Sequence, residues 1–306
     1  MRDYTSNNII ESIKRIGSIP DAQSLFSTAD FLGFINSEIE SLVVPMILSH
    51  HQDYFVTYQD IEVVAGQETY NLPSSSIAMG MREAVYVTES GTYKALEPLS
   101  LSKVSQANFR LSEGYYFLGN QIVLHPKPQA TRTLRVFYHK DPNEVVANNS
   151  AGQIISINTG TNQVTLSNVP TTWTTSNTFD AIDSQPGFDN QASNLTASTI
   201  SAPVLTLGSV EGLEINDWVA ISGFSPIPQI PKNAFKIVEQ AAAVKCLEAM
   251  GKAGKAQIAE GKLQQYMQAF SKTIAPRSKG KAQVISANGQ GLYQVGRSSR
   301  NFRRNF

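Results

Sequence analysis

The segment Tyr115–Pro142 constrains the fold most strongly, because it predicts consecutive β-strands joined by a defined turn. Its first two runs, Tyr115–Leu118 and Gln121–Leu124, are apolar and separated only by Gly119-Asn120. Gly and Asn accept the positive φ that two-residue hairpin turns require. After a Pro-Lys-Pro interruption, which ends the pairing, Thr133–Lys140 alternates apolar and polar residues. The segment therefore predicts a three-stranded sheet with one apolar face that packs against a core. None of its residues suggests an active site.

A second hairpin is predicted shortly before this segment. Arg82–Thr88 and Tyr93–Leu96 are β-prone runs joined by a four-residue linker that contains Gly. The next stretch, Leu99–Phe109, is ambiguous and fits a short helix capped by a serine. With the β-prone runs upstream, residues 52–146 are predicted to form a compact and mostly antiparallel β unit.

Apolar residues at helical spacing predict helices towards both ends of the chain. The first two span Ser6–Gly17 and about 28–50, and Pro45 should kink or divide the longer one. A stiff, proline-rich hinge at 226–231 precedes a pair of helices joined by a short connector, which predicts antiparallel packing. The pair covers Lys232–Met250 and Lys255–Thr273, and the apolar residues of the second are Ile258, Leu263, Met267 and Phe270.

Between these helical ends lies a stretch of different texture. Residues 147–225 are rich in Asn, Ser, Thr, Gly and Asp, with short β-prone islands. Two islands, Val164–Val169 and Leu205–Val210, resemble each other, and each is predicted to be one hairpin arm of a small duplicated β unit. A disordered segment is the open alternative, because the stretch is rich in polar residues.

These patterns predict an α+β fold, in which helices from both ends of the chain pack into one bundle with antiparallel β domains inserted between them. The predicted units are N-terminal bundle helices (1–51), an antiparallel β domain (52–146), a β-rich insertion (147–228), a C-terminal helical pair of the bundle (229–276) and an extended basic tail (277–306).

The charge balance bears on possible partners. The 306 residues contain 25 basic and 25 acidic side chains, and only 16% of them are charged, against roughly 25% in a typical domain. Zero net charge disfavours a general nucleic-acid-coating role. The single Cys246 excludes an intrachain disulfide and is expected in the core. Neither a signal peptide nor a continuous apolar run of membrane length is evident, so a chain that is soluble and intracellular when made, with no membrane partner, is expected.

The sequence predicts no catalytic, cofactor-binding or metal-binding residue. No catalytic triad, nucleophile elbow, HExxH motif or phosphate loop occurs. His50 and His51 end a predicted helix, where a cation favours the dipole. The acids Asp180, Asp183 and Asp189 cluster in the insertion and are expected to be solvated loop acids. Calcium ligands and a carbohydrate site are the alternatives, although the spacing is not that of an EF-hand.

The tail offers candidate partner-binding residues. Residues 277–306 contain seven basic side chains and no acid. Arginine and aromatic residues are frequent anchors of interfaces, so a docking peptide is predicted. The alternatives are a solvated basic terminus and salt-sensitive contacts with DNA phosphates. The residues proposed to bind the partner are Arg297, Arg300, Phe302, Arg303, Arg304 and Phe306.

The order of these features resembles the head-to-tail connector, or adaptor, proteins of tailed bacteriophages. The resemblance rests on the N-terminal helices followed by GQETYNLP, REAVYV and EGYYFLGNQIVLHPKPQATRTLRVFYHKDP. It continues in NDWVAISGFSPIPQIPKNAF, the paired helices and the basic tail. It covers most of the chain, and its motifs are structural rather than catalytic.

This resemblance implies a non-enzymatic virion protein at the neck of the particle. It implies a ring, commonly of twelve subunits, under the portal at the capsid vertex, with residues 277–306 as the portal-binding arm and the β units facing outward or towards the tail. The implied partners are the portal protein, neighbouring copies in the ring, downstream tail or nozzle proteins, and DNA passing non-specifically through the channel.

Two other function classes are weighed against the adaptor hypothesis. One is a different tail or receptor-binding virion protein with a carbohydrate-binding β insertion, which a repeated insertion would favour and the helical ends disfavour. The other is a carbohydrate-active enzyme, which requires two carboxyl groups about 5–10 Å apart in a cleft.

Overall fold

The computed structural model describes residues 4–20, 25–73, 75–88, 91–101, 113–187 and 190–274. The fold is α+β, as predicted: helices from both ends pack together, and two sheets and a barrel lie between them in sequence. Most of the predicted helix at Leu99–Phe109 and the tail at 277–306 lie outside the described residues.

The helical bundle is built from four segments of the N-terminal region and two from the C-terminal region. The first group is α1 (Ser6–Gly17), α2 (Thr28–Glu38), a π-helical segment (Ile39–Val43) and α3 (Val44–His50). The second is α4 (Phe235–Ala249), preceded by a 3₁₀ turn at Lys232–Ala234, and α5 (Ala253–Ile274).

Pro45 has the predicted effect on the second helix. A proline lacks the N–H that would continue the helical hydrogen bonds, so the chain must adjust just before it. The adjustment is the π-helical segment, in which the Val44 N–H bonds to the Ile39 carbonyl five residues back. The change in helical hydrogen bonding is therefore local, and α2, the π-helical segment and α3 form one continuous helix.

The bundle core joins the two ends of the chain, as the sequence predicts. Buried side chains of α2 and α3, such as Phe31, Ile35 and Ile47, share one cluster with Phe235 and Ala242 of α4. Residues on nearly every side of α4 are buried, which is the pattern of a central helix. The ring of Tyr4 meets that of Phe235 edge to face, with centroids 4.9 Å apart.

The continuous helix Thr28–His50 is long and apolar enough, by length and composition, to cross a membrane. No unbroken apolar run marks it in the sequence, because polar residues interrupt the stretch. Phe31, Ile35, Val43 and Ile47 of this helix are buried in the bundle core. The core helix of a globular protein can have the same length and composition. The burial of these four side chains indicates that Thr28–His50 is such a core helix.

One predicted apolar residue of α5 is not in the core. Leu263 and Phe270 are buried as expected, but Ile258 is 66% exposed. The buried stripe instead uses Ala256 and Ala259, because small residues let α5 lie close to α4. Gln240 of α4 donates to the Ala259 carbonyl at 3.0 Å, which satisfies a buried amide at this contact.

The predicted β unit consists of two four-stranded sheets that share one apolar core. Their orders are β1-β8-β3-β4 and β2-β7-β6-β5, and all neighbours are antiparallel except β5 and β6. The strands are β1 (Val56–Val63), β2 (Thr69–Asn71), β3 (Ser76–Val87), β4 (Tyr93–Ala95), β5 (Glu97–Pro98), β6 (Gly114–Leu118), β7 (Gln121–His125) and β8 (Arg132–Lys140).

The central hairpin is confirmed, but its third strand lies in the other sheet. β6 and β7 pair across the predicted turn, where Gly119 has a φ of 58°. β8 does not extend this hairpin; it pairs with β1 and β3 instead. The buried Leu134 and Val136 of β8 pack in one cluster with Ile122 and Leu124 of β7. The apolar face was predicted correctly, and it meets the hairpin across the core.

The insertion forms a closed six-stranded barrel, so the disordered alternative is wrong for its described residues. The order around the barrel is β10-β11-β14-β13-β12-β15. These strands are β10 (Gly152–Asn158), β11 (Gln163–Leu166), β12 (Thr178–Ile182), β13 (Asn190–Ser201), β14 (Val204–Leu207) and β15 (Trp218–Ile221). Before and after the barrel, β9 (Glu144–Val145) and β16 (Phe224–Ser225) pair in parallel.

The barrel is a duplicated unit with pseudo-twofold symmetry. Exchanging β10, β11 and β12 with β13, β14 and β15 leaves every pair of neighbouring strands unchanged. The registers agree for the pairs that both halves form, although the shifted pairs of β12–β13 at Ala181 and Ile182 have no counterpart in β10–β15. Val164 lies opposite Leu205, and Asp180 lies opposite Ala220, so the approximate axis passes through these two pairs. The similar sequences of the two predicted islands, Val164–Val169 and Leu205–Val210, therefore occupy equivalent positions in the two halves of the barrel.

Local irregularities are also repeated. The β10–β11 ladder has a bulge between Ile154 and Ser156, and the β13–β14 ladder has one between Ala197 and Thr199. A turn recurs as well: the Thr174 N–H donates to Asn177 Oδ1 at 2.8 Å, and the Glu214 N–H donates to Asp217 Oδ2 at 2.9 Å. Each half thus shows what the barrel fold requires at a given position, and what it tolerates.

Candidate functional site

The six tail residues predicted to bind a partner lie outside the described residues. They are Arg297, Arg300, Phe302, Arg303, Arg304 and Phe306. Their role stays a prediction. Within the part of the chain that the structure describes, other groups of polar and aromatic side chains have the chemistry for binding or assembly.

Two of the four histidines, His50 and His139, have ring nitrogens next to backbone carbonyls. His50 Nδ1 lies 2.9 Å from the Met46 carbonyl, one turn back in α3. The two ring nitrogens of His139 lie 2.9 Å from the Gly80 carbonyl and 2.8 Å from that of Gln52. Within the described ranges, no group of three His, Cys, Asp or Glu residues is placed to hold a metal ion.

Asp180 is not the solvated loop acid that its surroundings in the sequence suggest. Asp180 is only 4% exposed, and it lies in a strand that is buried on both faces. One carboxylate oxygen accepts from the Asn194 N–H at 3.0 Å and from the Ser222 hydroxyl at 2.7 Å. The other accepts from Asn143 Nδ2 at 3.1 Å and from the Gly223 N–H at 3.3 Å. These four donors match the roughly four lone-pair positions of a carboxylate.

The other two acids of the predicted cluster give no comparable network among the described residues. Asp183 Oδ1 accepts from the Gln185 N–H at 2.7 Å, a contact within its own turn. Asp189 lies outside the described residues. Since the lone pairs of Asp180 are taken by protein donors, this carboxylate is a poor candidate for the proton transfer or sugar binding of a carbohydrate-active site.

The Asp180 contacts belong to a network between the barrel and the rest of the fold. Asn143, just before β9, donates its side chain to Asp180, and its backbone N–H donates to Gln229 Oε1 at 2.9 Å. Gln229 lies in the hinge that leads to α4, and its amide bonds to Asn190 of β13. Asn143 and Gln229 are themselves buried. We call these four residues, Asn143, Asp180, Asn190 and Gln229, the junction network.

A polar cleft of about 740 Å³ opens beside the junction network, between the first sheet and the barrel. Tyr58 and Tyr138 line it from the sheet, and Asp180, Asn194 and Ser222 line it from the barrel side. Asp180 is the single acid among the described residues that line the cleft, so these residues do not supply the carboxylate pair of a glycoside hydrolase.

Sequence reasoning missed the junction network because its members are far apart and lie among Asn, Ser and Gly. One signal was available. Aligning the two halves of the insertion places Asp180 where the other half has Ala220. The other half of the barrel folds without an acid at this position. An acid between the apolar residues Phe179 and Ala181 therefore indicates a role other than folding of the strand.

A second surface with recognition chemistry lies on the outer face of the first sheet. Arg135 of β8 donates two hydrogen bonds to Asp60, at 2.7 and 2.8 Å, and its guanidinium stacks 4.0 Å from the centroid of the Tyr58 ring. Its remaining nitrogen donates to the Tyr93 hydroxyl at 2.8 Å. Tyr58 is 53% and Tyr93 is 57% exposed. Tyrosine and arginine in this arrangement are typical of protein contact surfaces.

The Asp60–Arg135 pair makes a small part of the stability depend on pH. The hydrogen bond from Arg135 lowers the pKa of the Asp60 carboxyl. A lowered folded-state pKa gives stability that is present above the ordinary value of about 4 and is lost as the pH falls through the folded pKa. Asp60→Asn should therefore be slightly less stable than the unmodified protein at pH 7, and the difference should become smaller as the pH falls below about 4.

Urea unfolding at pH 7 and at about pH 2.5 measures this difference. Glu62→Gln, on the same strand and exposed, is the control for removing one negative charge from this face. A constant difference between Asp60→Asn and the unmodified protein at both pH values would contradict the expected role of the ion pair.

Comparison with known families matches more than half of the chain. The model of one family, described as SU10 adaptor protein, matches residues 5–180. This range includes α1 to α3, both four-stranded sheets and the first half of the barrel, and ends at Asp180 in β12. No curated protein matches the chain.

Proposed function

The chain belongs to the SU10 adaptor protein family, and on this basis we propose that it forms a ring which joins the portal at the capsid vertex to the tail. The family is one of phage head-to-tail adaptors, so the chain is a virion protein of a structural family. The match across the N-terminal bundle helices and both sheets is the observation that carries the proposal.

The proposed ring contains twelve copies, arranged around a channel through which DNA leaves the capsid. Side contacts between copies need exposed side chains that are suited to burial. The chain offers Ile258 on the outer side of α5, and Tyr58 and Tyr93 on the first sheet. A head-to-tail contact between two such different surfaces closes into a ring when the rotation between neighbouring copies closes.

The charge distribution supports a channel through which DNA passes without tight binding. The last 30 residues hold seven of the 25 basic side chains and none of the 25 acids. Residues 1–276 therefore carry 18 basic and 25 acidic side chains, a net charge of −7. The net negative charge of residues 1–276 repels phosphate groups.

The basic tail is proposed as the arm that docks on the portal, with Arg297, Arg300, Phe302, Arg303, Arg304 and Phe306 as its contacts. Arginines supply bidentate hydrogen bonds to carboxylates, and buried phenylalanines supply apolar area. Its natural binding surface on the portal is therefore an acidic groove with apolar pockets. Further proposed partners are ring neighbours and the tail or nozzle proteins below.

Deleting Gly296–Phe306 is expected to leave the fold intact and to abolish docking on the portal. Native mass spectrometry of the protein, alone and mixed with portal rings, measures both the ring and the docking. Twelve copies bound to a portal ring are expected for the full chain, and none for the truncated chain. The matched control replaces Arg297, Arg300, Arg303 and Arg304 by Lys, which keeps the charge but loses the bidentate geometry.

Portal binding by the truncated chain at the affinity of the full chain would rule out this segment as the anchor. Partial binding by the lysine variant, between the full and truncated chains, is expected if arginine geometry contributes beyond charge.

A second candidate is a tail or receptor-binding virion protein whose barrel binds carbohydrate, and the duplicated barrel is the observation that favours it. A stable monomer or trimer that ignores portal rings would support this candidate over the ring. Its direct test is glycan binding by residues 147–225.

A further inference from the structure

The barrel meets the body of the protein, formed by the helical bundle and the two sheets, through several contacts. At the entry to the barrel, Asn36 of α2 bonds both backbone groups of Val145, and Ser6 donates to Asn148. Two further contacts lie at the barrel itself. The polar one is the junction network around Asp180, and the apolar one is made by Trp218, which packs against the bundle core. Apolar contact is not directional, whereas hydrogen bonds fix distance and angle.

We propose that Asp180 is a positioning residue: it fixes the direction in which the barrel points from the body and is not required for the fold of the barrel. The inference goes beyond the proposed function and does not depend on the ring. It predicts that the direction of the barrel and its fold can be separated by single substitutions.

The duplication within the barrel provides the first argument. Ala220 occupies the position equivalent to Asp180 and pairs with it across the approximate axis. The β12–β15 pairing is therefore built with an alanine in the second half, so this pairing does not need the carboxylate. Within the barrel strands, the carboxylate contacts Asn194 beside a register shift of the β12–β13 ladder, and its other contacts call for another role.

The destination of its hydrogen bonds provides the second argument. Only Asn194 belongs to a barrel strand, whereas Asn143, Ser222 and Gly223 lie in the segments that enter and leave the barrel. Both connections are thus tied to one carboxylate. Through Asn143 the contact continues to Gln229, in the hinge before α4.

The energetics explain why one side chain can make a large contribution to holding this direction. A hydrogen bond to a charged group contributes about 1.5–3 kcal/mol, and removing a buried acceptor leaves its donors unsatisfied. In Asp180→Ala, the Asn194 and Gly223 N–H groups and the Ser222 hydroxyl lose this acceptor. These donors regain partners only if the connections move and admit water, which loosens the barrel on the body.

The test follows the distance between barrel and body with a pair of spin labels. Thr161→Cys in the β10–β11 turn and Lys262→Cys on α5 place labels at exposed positions. The native Cys246 is fully buried, and burial raises the pKa of its thiol to about 11, so it should resist labelling. We expect one narrow distance distribution for the unmodified chain and a clearly broader one for Asp180→Ala.

Amide hydrogen exchange in the same variants gives a local measurement. Exchange of the Asn194 and Gly223 amides should speed up at least tenfold in Asp180→Ala. The Leu205 amide, at the opposite end of the axis, should be unchanged. Near-ultraviolet circular dichroism of the Trp173–Phe179 pair, with centroids 4.8 Å apart, reports whether the barrel stays folded.

Two further variants keep the test decisive. Asp183→Ala removes an acid whose hydrogen bonds stay within its own turn, and it should change neither distance nor exchange. Asn143→Ala breaks the network from the body side without altering the barrel sequence, and it should broaden the distance distribution as Asp180→Ala does. This second variant decides the matter if Asp180→Ala does not fold.

Unchanged distances in Asp180→Ala or in Asn143→Ala would overturn the proposal. So would loss of the Trp173 signal in Asp180→Ala at a temperature where Asp183→Ala is folded, because Asp180 would then be a residue of the barrel fold.

Discussion

Phe179→Ala is expected to destabilise the protein by about 3–5 kcal/mol, the range for emptying the site of a buried phenylalanine. Phe179 is 0% exposed, and its ring packs on Trp173 in the barrel core. The barrel is small and closed, so its strands cannot collapse into the cavity without losing register. Urea unfolding followed by near-ultraviolet circular dichroism measures the loss.

The duplication offers a matched control for this experiment. Val219 holds the equivalent position and is also 0% exposed. Val219→Ala removes fewer atoms, so its cost should be clearly smaller than that of Phe179→Ala. Equal losses would mean that the two halves of the barrel are not energetically equivalent, and a loss below about 1 kcal/mol for Phe179→Ala would contradict a packed barrel core.

Phe235→Ala should have a loss of similar size, about 3–5 kcal/mol, in the other large core. Phe235 begins α4, is 1% exposed and packs against Tyr4 ahead of α1. It therefore joins the two ends of the chain. Thermal unfolding monitored at 222 nm, where the helices dominate, measures the change.

Ile258→Ala is the control for the bundle, because Ile258 lies on α5 but is largely exposed. Its effect on stability should stay within about 0.5 kcal/mol. A large loss in Ile258→Ala as a monomer would mean that this side of α5 is covered within the chain. A small loss in Phe235→Ala would contradict the role of the N- and C-terminal helices as one core.

Local patterns predicted the elements of this fold well. The Gly119-Asn120 turn and the alternation in β8 depend on residues close in sequence, and both were found where expected. The sheet to which β8 belongs was not predictable in the same way. A period of two specifies which side chains are buried, but not which strand lies alongside.

Burial of polar residues was the main point at which sequence reasoning failed. Asp180 lies in an Asn- and Ser-rich stretch that resembles a loop, and its burial depends on Asn143 and Gly223, each about 40 residues away. The prediction that Ile258 is buried was wrong for a different reason. Its spacing fitted the apolar stripe of α5, but two alanines at neighbouring positions allow the closer contact with α4. Both outcomes depend on tertiary packing, which local pattern does not encode.

The paired positions at the barrel axis bear on how such a domain can acquire new roles. A half-barrel that assembled as a symmetric homodimer would place the same residue twice at each axial position. An aspartate at 180 would then face its own copy, and two buried carboxylates side by side cannot both ionise. Joining the halves in one chain removes this restriction, so Asp180 can lie opposite Ala220. One chain with two halves can therefore carry a single buried charge on its axis, so that one side of the barrel differs from the other.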